Sequence, residues 1–310
     1  MYYRNIADLN KIILKRLNII PRNIDLIVGV PRSGMLPANL LALYLNRPYT
    51  DIHSFMNGHI YKAGARGQFF DAKQYKNVLV VDDSVASGAA MDEVRENLKP
   101  FEKDFNFKYA VVYMAPGKEH TVDYFFETVP LPRYFQWNIM NHTTLEKACF
   151  DIDGVLCVDP RPDQNDDGEK YIEFLKTAEP LFIPGSKIGT IVTSRLEKYR
   201  KYTEDWLAKY NVKYKKLVML DLPDMKARQK ANNHGSFKAQ EYKNSQYILF
   251  IESEMHQALE INRLTGKPVL CTATFEMIFN SESVVYNIKS GKYLPFLRKA
   301  ALKVRDRIKK

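Results

Sequence analysis

The stretch VVDDSVASGAAM, residues 80–91, ends an apolar run on two adjacent acids, Asp82 and Asp83, and passes at once into small residues. Backbone N–H groups left free in such a turn, at the start of a following helix, bind an anion, and the helix dipole adds to the attraction. Carboxylates beside that cradle can accept hydrogen bonds from hydroxyls. Together they suit a sugar phosphate, with N–H groups for the phosphate and Asp82 and Asp83 for the ring hydroxyls. For the pair by itself a plainer alternative stays open: two solvated acids and a Gly-rich turn. A second apolar run closes on acids in the same way at DIDG, residues 151–154, which carries Asp151 and Asp153.

Those acids need strands to carry them. IDLIVGV (24–30), NVLVVDD (77–83) and KYAVVYMA (108–115) read as buried strands, with helices at 34–46 and around 88–98 between them. Residues 127–147 hold two prolines, Pro130 and Pro132, and mixed aromatics and read as a connecting segment. KACFDIDGVL (147–156), IGTIVTSR (188–195), a helix at 197–210, a strand near 216–220 and YILFIESE (247–254) follow. Apolar strands alternating with amphipathic helices predict an α/β fold with mostly parallel sheets. In such sheets ligands bind at the carboxyl ends of strands. A chain of 310 residues is long enough for two domains, expected at 1–145 and 146–310.

Composition narrows the classes. Hydrophobic residues are 45% and charged residues 26%, as in a soluble globular protein. No apolar run approaches the ~20 residues of a membrane helix, and the charged N-terminus does not read as a secretory signal. Three cysteines, Cys149, Cys157 and Cys271, show no metal-ligand spacing and no disulfide framework, which predicts a reducing cytosol. The net charge of +10 suits nucleic acid, an anionic membrane face or phosphorylated small molecules. No basic motif with interleaved aromatics stands out, so nucleic acid is not an expected partner.

VLVVDDSVASGAAM resembles the 5-phosphoribosyl 1-pyrophosphate signature of type I phosphoribosyltransferases, a likeness over roughly residues 1–140. The resemblance implies that Asp82 and Asp83 bind the ribose 2- and 3-hydroxyls, and that Val85, Ala86, Ser87, Gly88 and Ala89 wrap the 5-phosphate. Where that family usually has a threonine, a glycine and a second threonine, this chain has Ser87, Ala89 and Ala90. Ser87 keeps a hydroxyl and Ala90 loses one. VGVPRSGMLPA (28–38) looks like the family's pyrophosphate loop, with Arg32, Ser33 and Gly34 at its tip. A leaving pyrophosphate needs cationic and N–H donors, and Arg32 provides the cation. HSFMNGHIYKAGARGQFF (53–70) fits the mobile loop over the site, with Gly58, Gly64 and Gly67 as hinges and Lys62 and Arg66 reaching pyrophosphate.

DIDGVL resembles motif I of the haloacid dehalogenase superfamily, a likeness over roughly residues 147–275. It implies a Rossmann-like phosphatase domain in which Asp151 attacks phosphorus and Asp153 protonates the leaving oxygen, then activates water. TIVTSR fits motif II, with Thr193 bonding the phosphoryl group, and SFKAQEY supplies Lys238 as the motif III cation. Lys226 and Lys243 are rivals to Lys238. FIESE fits motif IV, so that Asp151, Asp153, Glu252 and Glu254 form a Mg²⁺ site of oxygen ligands, with either glutamate as the direct ligand. The segments between these motifs are short, which leaves room for a minimal cap.

The pairing of the two domains resembles bacterial surface-glycan enzymes that take ribofuranose from phosphoribosyl pyrophosphate. The expected function is transfer of ribofuranosyl 5-phosphate to a glycan acceptor in a β-linkage, then removal of the 5-phosphate, during surface polysaccharide synthesis. The alternative is a nucleobase phosphoribosyltransferase fused to a 5′-nucleotidase-type phosphatase. A third reading is a regulatory protein with one inactive domain. LPFLRKAALKVRDRIKK (294–310) places its apolar residues near one helical face amid Lys and Arg. Such a helix can lie on an anionic leaflet, where a lipid-linked acceptor is found, or pack on the body with a solvated basic face. The expected location is the cytoplasm, with peripheral contact at the inner membrane face.

Overall fold

The computed structural model describes residues 1–61, 75–231 and 234–281. Lys62, Gly64, Arg66 and Gly67, and the basic helix expected at 294–310, lie outside the described residues. The chain divides into two compact units, Met1–Asn138 and Ile139–Lys310.

The first unit contains β1 (Tyr2–Arg4), α1 (Ile6–Lys15), β2 (Leu26–Gly29), α2 (Met35–Leu45), β3 (Tyr49–Asp51), α3 (Ile52–Met56), β4 (Asn77–Val85), α4 (Ala89–Leu98), β5 (Asn106–Met114), β6 (Tyr124–Thr128) and β7 (Arg133–Phe135). Its main sheet has the order β3-β2-β4-β5-β6, and every neighbouring pair is parallel. This is the parallel α/β architecture that the alternating elements predict. Both faces of β4 are buried. Leu79 and Val81 pack with Leu9, Ile13, Ala38 and Leu41 of α1 and α2, whereas Val78 and Val80 pack with Ile52, Phe55, Met91 and Val94 of α3 and α4. Successive side chains of a strand point to opposite faces, which is why this strand reads as an unbroken apolar run.

The segment 127–147 departs from expectation. It is more than a connection: β7 forms within it and pairs in parallel with β1 as a separate two-stranded sheet, Tyr2 opposite Arg133 and Arg4 opposite Phe135. A three-residue strand that directly follows Pro132 carries too short a pattern to read locally. Its partner lies at the other end of the unit. Burial of Tyr134 and Phe135 contributes apolar area that no periodicity announces.

The second unit contains β8 (Ala148–Phe150), α5 (Glu169–Thr177), β9 (Ile188–Leu196), α6 (Arg200–Lys209), β10 (Tyr214–Leu220), α7 (Met225–Ala231), α8 (His234–Lys243), β11 (Leu249–Glu252), α9 (Met255–Thr265), β12 (Val269–Cys271) and β13 (Glu276–Ile278). The sheet order is β10-β9-β8-β11-β12-β13, parallel except for β13 against β12. Phe250, Cys149 and Val192, on three adjacent strands, pack with Ala239 and Tyr242 of α8 and Ala258 and Ile261 of α9. Among the described residues, no helix is long and apolar enough to cross a membrane.

Candidate functional site

In the first unit the site gathers at the carboxyl end of β4. Asp83 is 4% exposed, and its backbone N–H donates to Asp82 Oδ1 at 2.7 Å. The two carboxylates stay close enough for the Asp83 charge to bear on Asp82. Asp83 Oδ2 accepts from Trp137 Nε1 at 2.7 Å. Asp82 lies against the Pro31–Gly34 turn: a Cβ added to Gly34 would fall 2.8 Å from Asp82 Oδ1, so a side chain there would displace the acid. Burial, then the charge of Asp83, pushes the Asp82 carboxyl up to about 7. Among the described residues neither acid has an ion-pair partner.

Beyond the acids the chain turns through Ala86 and Ser87, both exposed, to Gly88, whose φ of 102° marks the start of α4. Glycine takes this conformation at little cost. The N–H groups of Ala86, Ser87 and Gly88 have no acceptor among the described residues, while Ala89 N–H donates to Ser87 Oγ at 3.3 Å. Three free donors at a helix start, next to two acids, form a cradle for an anion that also carries hydroxyls. Val85 ends the strand, buried, and its carbonyl is held by Arg133. Arg32 is exposed at the tip of the neighbouring turn, Ser33 is half-buried and Gly34 is buried. The Pro31–Arg32 peptide bond is cis.

In the second unit the acids gather at the ends of β8 and β11. Lys238 of α8, 1% exposed, donates Nζ to Asp151 Oδ2 at 2.6 Å, Glu252 Oε2 at 2.7 Å and Gln257 Oε1 at 2.8 Å. Burial opposes the Lys238 ammonium, but Asp151 and Glu252 outweigh it and hold it charged above its ordinary range. Burial raises the Asp151 carboxyl against the pull of Lys238, and the Glu252 charge adds to the rise. Glu252 Oε1 accepts from the N–H groups of Ser253 and Glu254 at 2.9 and 3.1 Å. The rival cations Lys226 and Lys243 are exposed. Gly154, at φ 73°, presses so closely on Ser253 that an added Cβ would collide with its side chain, which joins the two acid-bearing turns.

Asp153 faces another way. Arg195, 1% exposed, donates Nε to Asp153 at 3.1 and 3.2 Å and Nη2 at 2.6 Å. Thr193 is buried, and its Oγ1 accepts from Arg195 N–H at 3.3 Å. Glu254 is exposed at the start of α9. The four carboxylates expected as one Mg²⁺ set therefore do not converge. Asp151 and Glu252 meet on Lys238, Asp153 is paired with Arg195, and Glu254 points its charge to solvent. Among the described residues no three His, Cys, Asp or Glu side chains are grouped to hold a metal. The donor chemistry of Asp151 and Glu252 still suits a hard cation: two buried carboxylates share a single ammonium, so one negative charge is left over.

Trp137, Arg133, Arg195 and Gln257 were not expected at these sites. The signal for Arg195 was present in TSR, two residues after Thr193. Trp137 and Arg133 lay in the segment read as a connection.

Residues 2–139 match the family model of the phosphoribosyl transferase domain. The first unit thus matches the phosphoribosyl transferase domain over almost its whole length. Over 93 residues the chain is 28% identical to Transcriptional regulator GfcR 2 of Methanosarcina acetivorans, covering 29% of this chain and 45% of that protein. The chain thus spans less than half the length of that curated relative. Among solved structures, Helicobacter pylori xanthine-guanine-hypoxanthine phosphoribosyltransferase is 18% identical, covers 44% of this chain and 92% of that chain, and has a TM-score of 0.33. Purine phosphoribosyltransferase from Pyrococcus horikoshii Ot3 is 22% identical with the same coverages and a TM-score of 0.33.

Proposed function

We propose that the protein transfers ribofuranosyl 5-phosphate from phosphoribosyl pyrophosphate to a glycan hydroxyl, and then removes the 5-phosphate. The observation that carries this reading is the pair Asp82 and Asp83, with no ion-pair partner among the described residues, beside the N–H groups of Ala86, Ser87 and Gly88, which have no acceptor there either. That arrangement supplies acceptors for two hydroxyls and donors for one phosphate. Arg32, exposed on the turn packed against Asp82, would meet charge building on the leaving pyrophosphate. Attack by an acceptor hydroxyl on the anomeric carbon breaks its bond to pyrophosphate and inverts the α-configured donor to a β-ribofuranoside.

A ribofuranoside made this way still carries a 5-phosphate that a surface polysaccharide must shed, which gives the second unit its work. Asp151 forms a bond to phosphorus as the bond to the sugar oxygen breaks. In this reading Asp153 would leave its Arg195 pair and, once protonated, give that oxygen a proton, then take one from the water that hydrolyses the acyl phosphate. Lys238 holds the Asp151 carboxylate in place, and Thr193 would bond the phosphoryl group. Asp151 and Glu252 would hold Mg²⁺, which when bound neutralises charge on the phosphoryl oxygens. Glycan acceptors and contact of the C-terminal basic segment with an anionic leaflet belong to the same proposal.

One observation favours a second reading. Trp137 is half-buried beside Asp83, and a planar ring next to the donor acids suits a nucleobase as well as a sugar face. That would make the protein a nucleobase phosphoribosyltransferase joined to a 5′-nucleotidase-type phosphatase. Incubation with phosphoribosyl pyrophosphate, Mg²⁺ and a panel of sugar and base acceptors separates the two. Pyrophosphate release followed by phosphate release with a sugar acceptor is the expected result. Stimulation by a nucleobase and by no sugar selects the second reading, and equal phosphate release with and without any acceptor rejects the order of steps.

A further inference from the structure

β7 lies outside the five-stranded sheet, yet it and the turn after it grip the end of β4 at two points. Arg133, 8% exposed, donates Nη2 to the Val85 carbonyl at 2.6 Å and Nη1 to the Val129 carbonyl at 3.2 Å. Burial, opposed by the charge of Asp83, lowers its guanidinium from the ordinary range. Four residues on, Trp137 donates Nε1 to Asp83 Oδ2. Val85 and Asp83 bound the stretch that carries the chain from the acids into the phosphate loop.

Trp137 is itself fixed. Its ring lies flat on Phe135, with centroids 4.9 Å apart and planes at 4°, and Phe135 stacks on Tyr113 of β5 at 5.1 Å and 21°. Tyr113 is fully buried in the sheet. The indole N–H is thus a rigid donor aimed at a buried carboxylate that lacks an ion-pair partner among the described residues. A carboxylate held in one rotamer before ligand arrives loses less freedom when hydroxyls bind to it.

We infer that Trp137 is a positioning residue for the donor: its indole N–H holds Asp83 in the orientation that accepts ribose hydroxyls, while Arg133 fixes the mouth of the phosphate loop. The inference rests on Asp82 and Asp83 being the ribose-binding acids. Trp137 acts through Asp83 and touches no reacting atom in this role. Its partner acid is 54 residues away in sequence, so the contact depends on the β1–β7 pairing rather than on local structure.

Trp137→Phe keeps an aromatic ring over Phe135 and removes the N–H. Calorimetric titration with phosphoribosyl pyrophosphate and Mg²⁺ is expected to show about 10–100-fold weaker binding than wild type, the range for a hydrogen bond to a charged group. KM for the donor should rise more than kcat falls. A spectroscopic arm does not depend on that variant folding. The chain has two tryptophans, and Trp206 is buried in the other unit with its N–H on the Ala178 carbonyl. In a Trp206→Phe protein, emission from Trp137 should change on donor addition and saturate at the calorimetric Kd, because hydroxyls then share the Asp83 charge. Equal donor affinity in wild type and folded Trp137→Phe overturns the positioning role alone. So does an unchanged emission at saturating donor. A wild type that binds no phosphoribosyl pyrophosphate overturns the donor-site reading and the positioning role together.

Discussion

The ends of β4 and β8 look alike in sequence and differ in charge. Each closes a buried parallel strand on acids. At β8 every acid that is buried has a cation: Lys238 Nζ lies within 2.7 Å of both Asp151 and Glu252, and Arg195 grips Asp153. At β4, Asp82 and Asp83 have no ion-pair partner among the described residues: the backbone and Trp137 donate N–H groups to them, and the Arg133 guanidinium acts on Asp83 only from further off. A buried charge without a partner costs several kcal/mol unless something neutralises it. The β8 site carries its compensation in the chain, whereas the β4 site is left to be completed by what binds there. The difference separates a site built around an internal cation from one built around its ligand.

Four changes would break or sharpen that contrast. The largest effect is expected from Asp151→Asn, which removes the proposed nucleophile. Phosphate release should fall by roughly 10³-fold or more, while pyrophosphate release in the first unit is unchanged, and the transfer product should keep its phosphate by mass spectrometry. Normal dephosphorylation by this variant would end the phosphatase reading. Next comes Lys238→Met, which leaves Asp151 and Glu252 buried together without their ammonium. Denaturant melts should show a loss of about 3–5 kcal/mol. A loss under ~1 kcal/mol would mean that the pair is not internally compensated.

Asp83→Asn is expected to cost about 1.5–3 kcal/mol of donor binding, or roughly 10–150-fold in Kd, with hydrolysis of a supplied ribofuranoside 5-phosphate unaffected. Here the protein should lose ligand affinity rather than stability, the reverse of Lys238→Met. The smallest effect concerns pH. The folded state raises the Asp82 carboxyl from 3.8 to about 7. In that window the unfolded chain has released the proton and the folded chain still holds it, so stability is lost as pH rises from about 4 to about 7. Asp82→Asn removes the titration. It should therefore raise the melting temperature at pH 8 and give little gain at pH 4. A pH-independent difference between variant and wild type would place the Asp82 carboxyl in its ordinary range.

How far these sites were legible depends on the distance over which each contact acts. β4 and β8 stand out because burial on both faces writes a continuous apolar run, and the acids that end them follow at once. Gly88 and the small residues around it mark a turn by their own backbone needs. Lys238 was legible as a basic residue in the right order along the chain, though not as the shared partner of two acids. The remaining determinants are non-local. Arg195 meets Asp153 across 42 residues and Trp137 meets Asp83 across 54. Neither choice leaves a mark on the periodicity of its own strand. The same holds for Glu254: its carboxylate looks like a ligand beside Glu252, but the start of α9 turns it outward while its backbone N–H serves Glu252.

The pairing of β1 with β7 also bears on how the first unit is made. Ile6 N–H and Gln136 Oε1, which close the same corner, are 130 residues apart. A ribosome adding roughly 5–20 residues per second exposes β1 on the order of ten seconds before β7 emerges. For that time Tyr2, Tyr3 and Arg4 have no strand to pair with, and the end of β4 has neither Arg133 nor Trp137. The nascent unit can bury Val78 to Val81 between its helices, yet its two acids stay loosely held. Completion of the proposed donor site is therefore among the last events of synthesis of this unit, timed by the arrival of the stretch around residue 137.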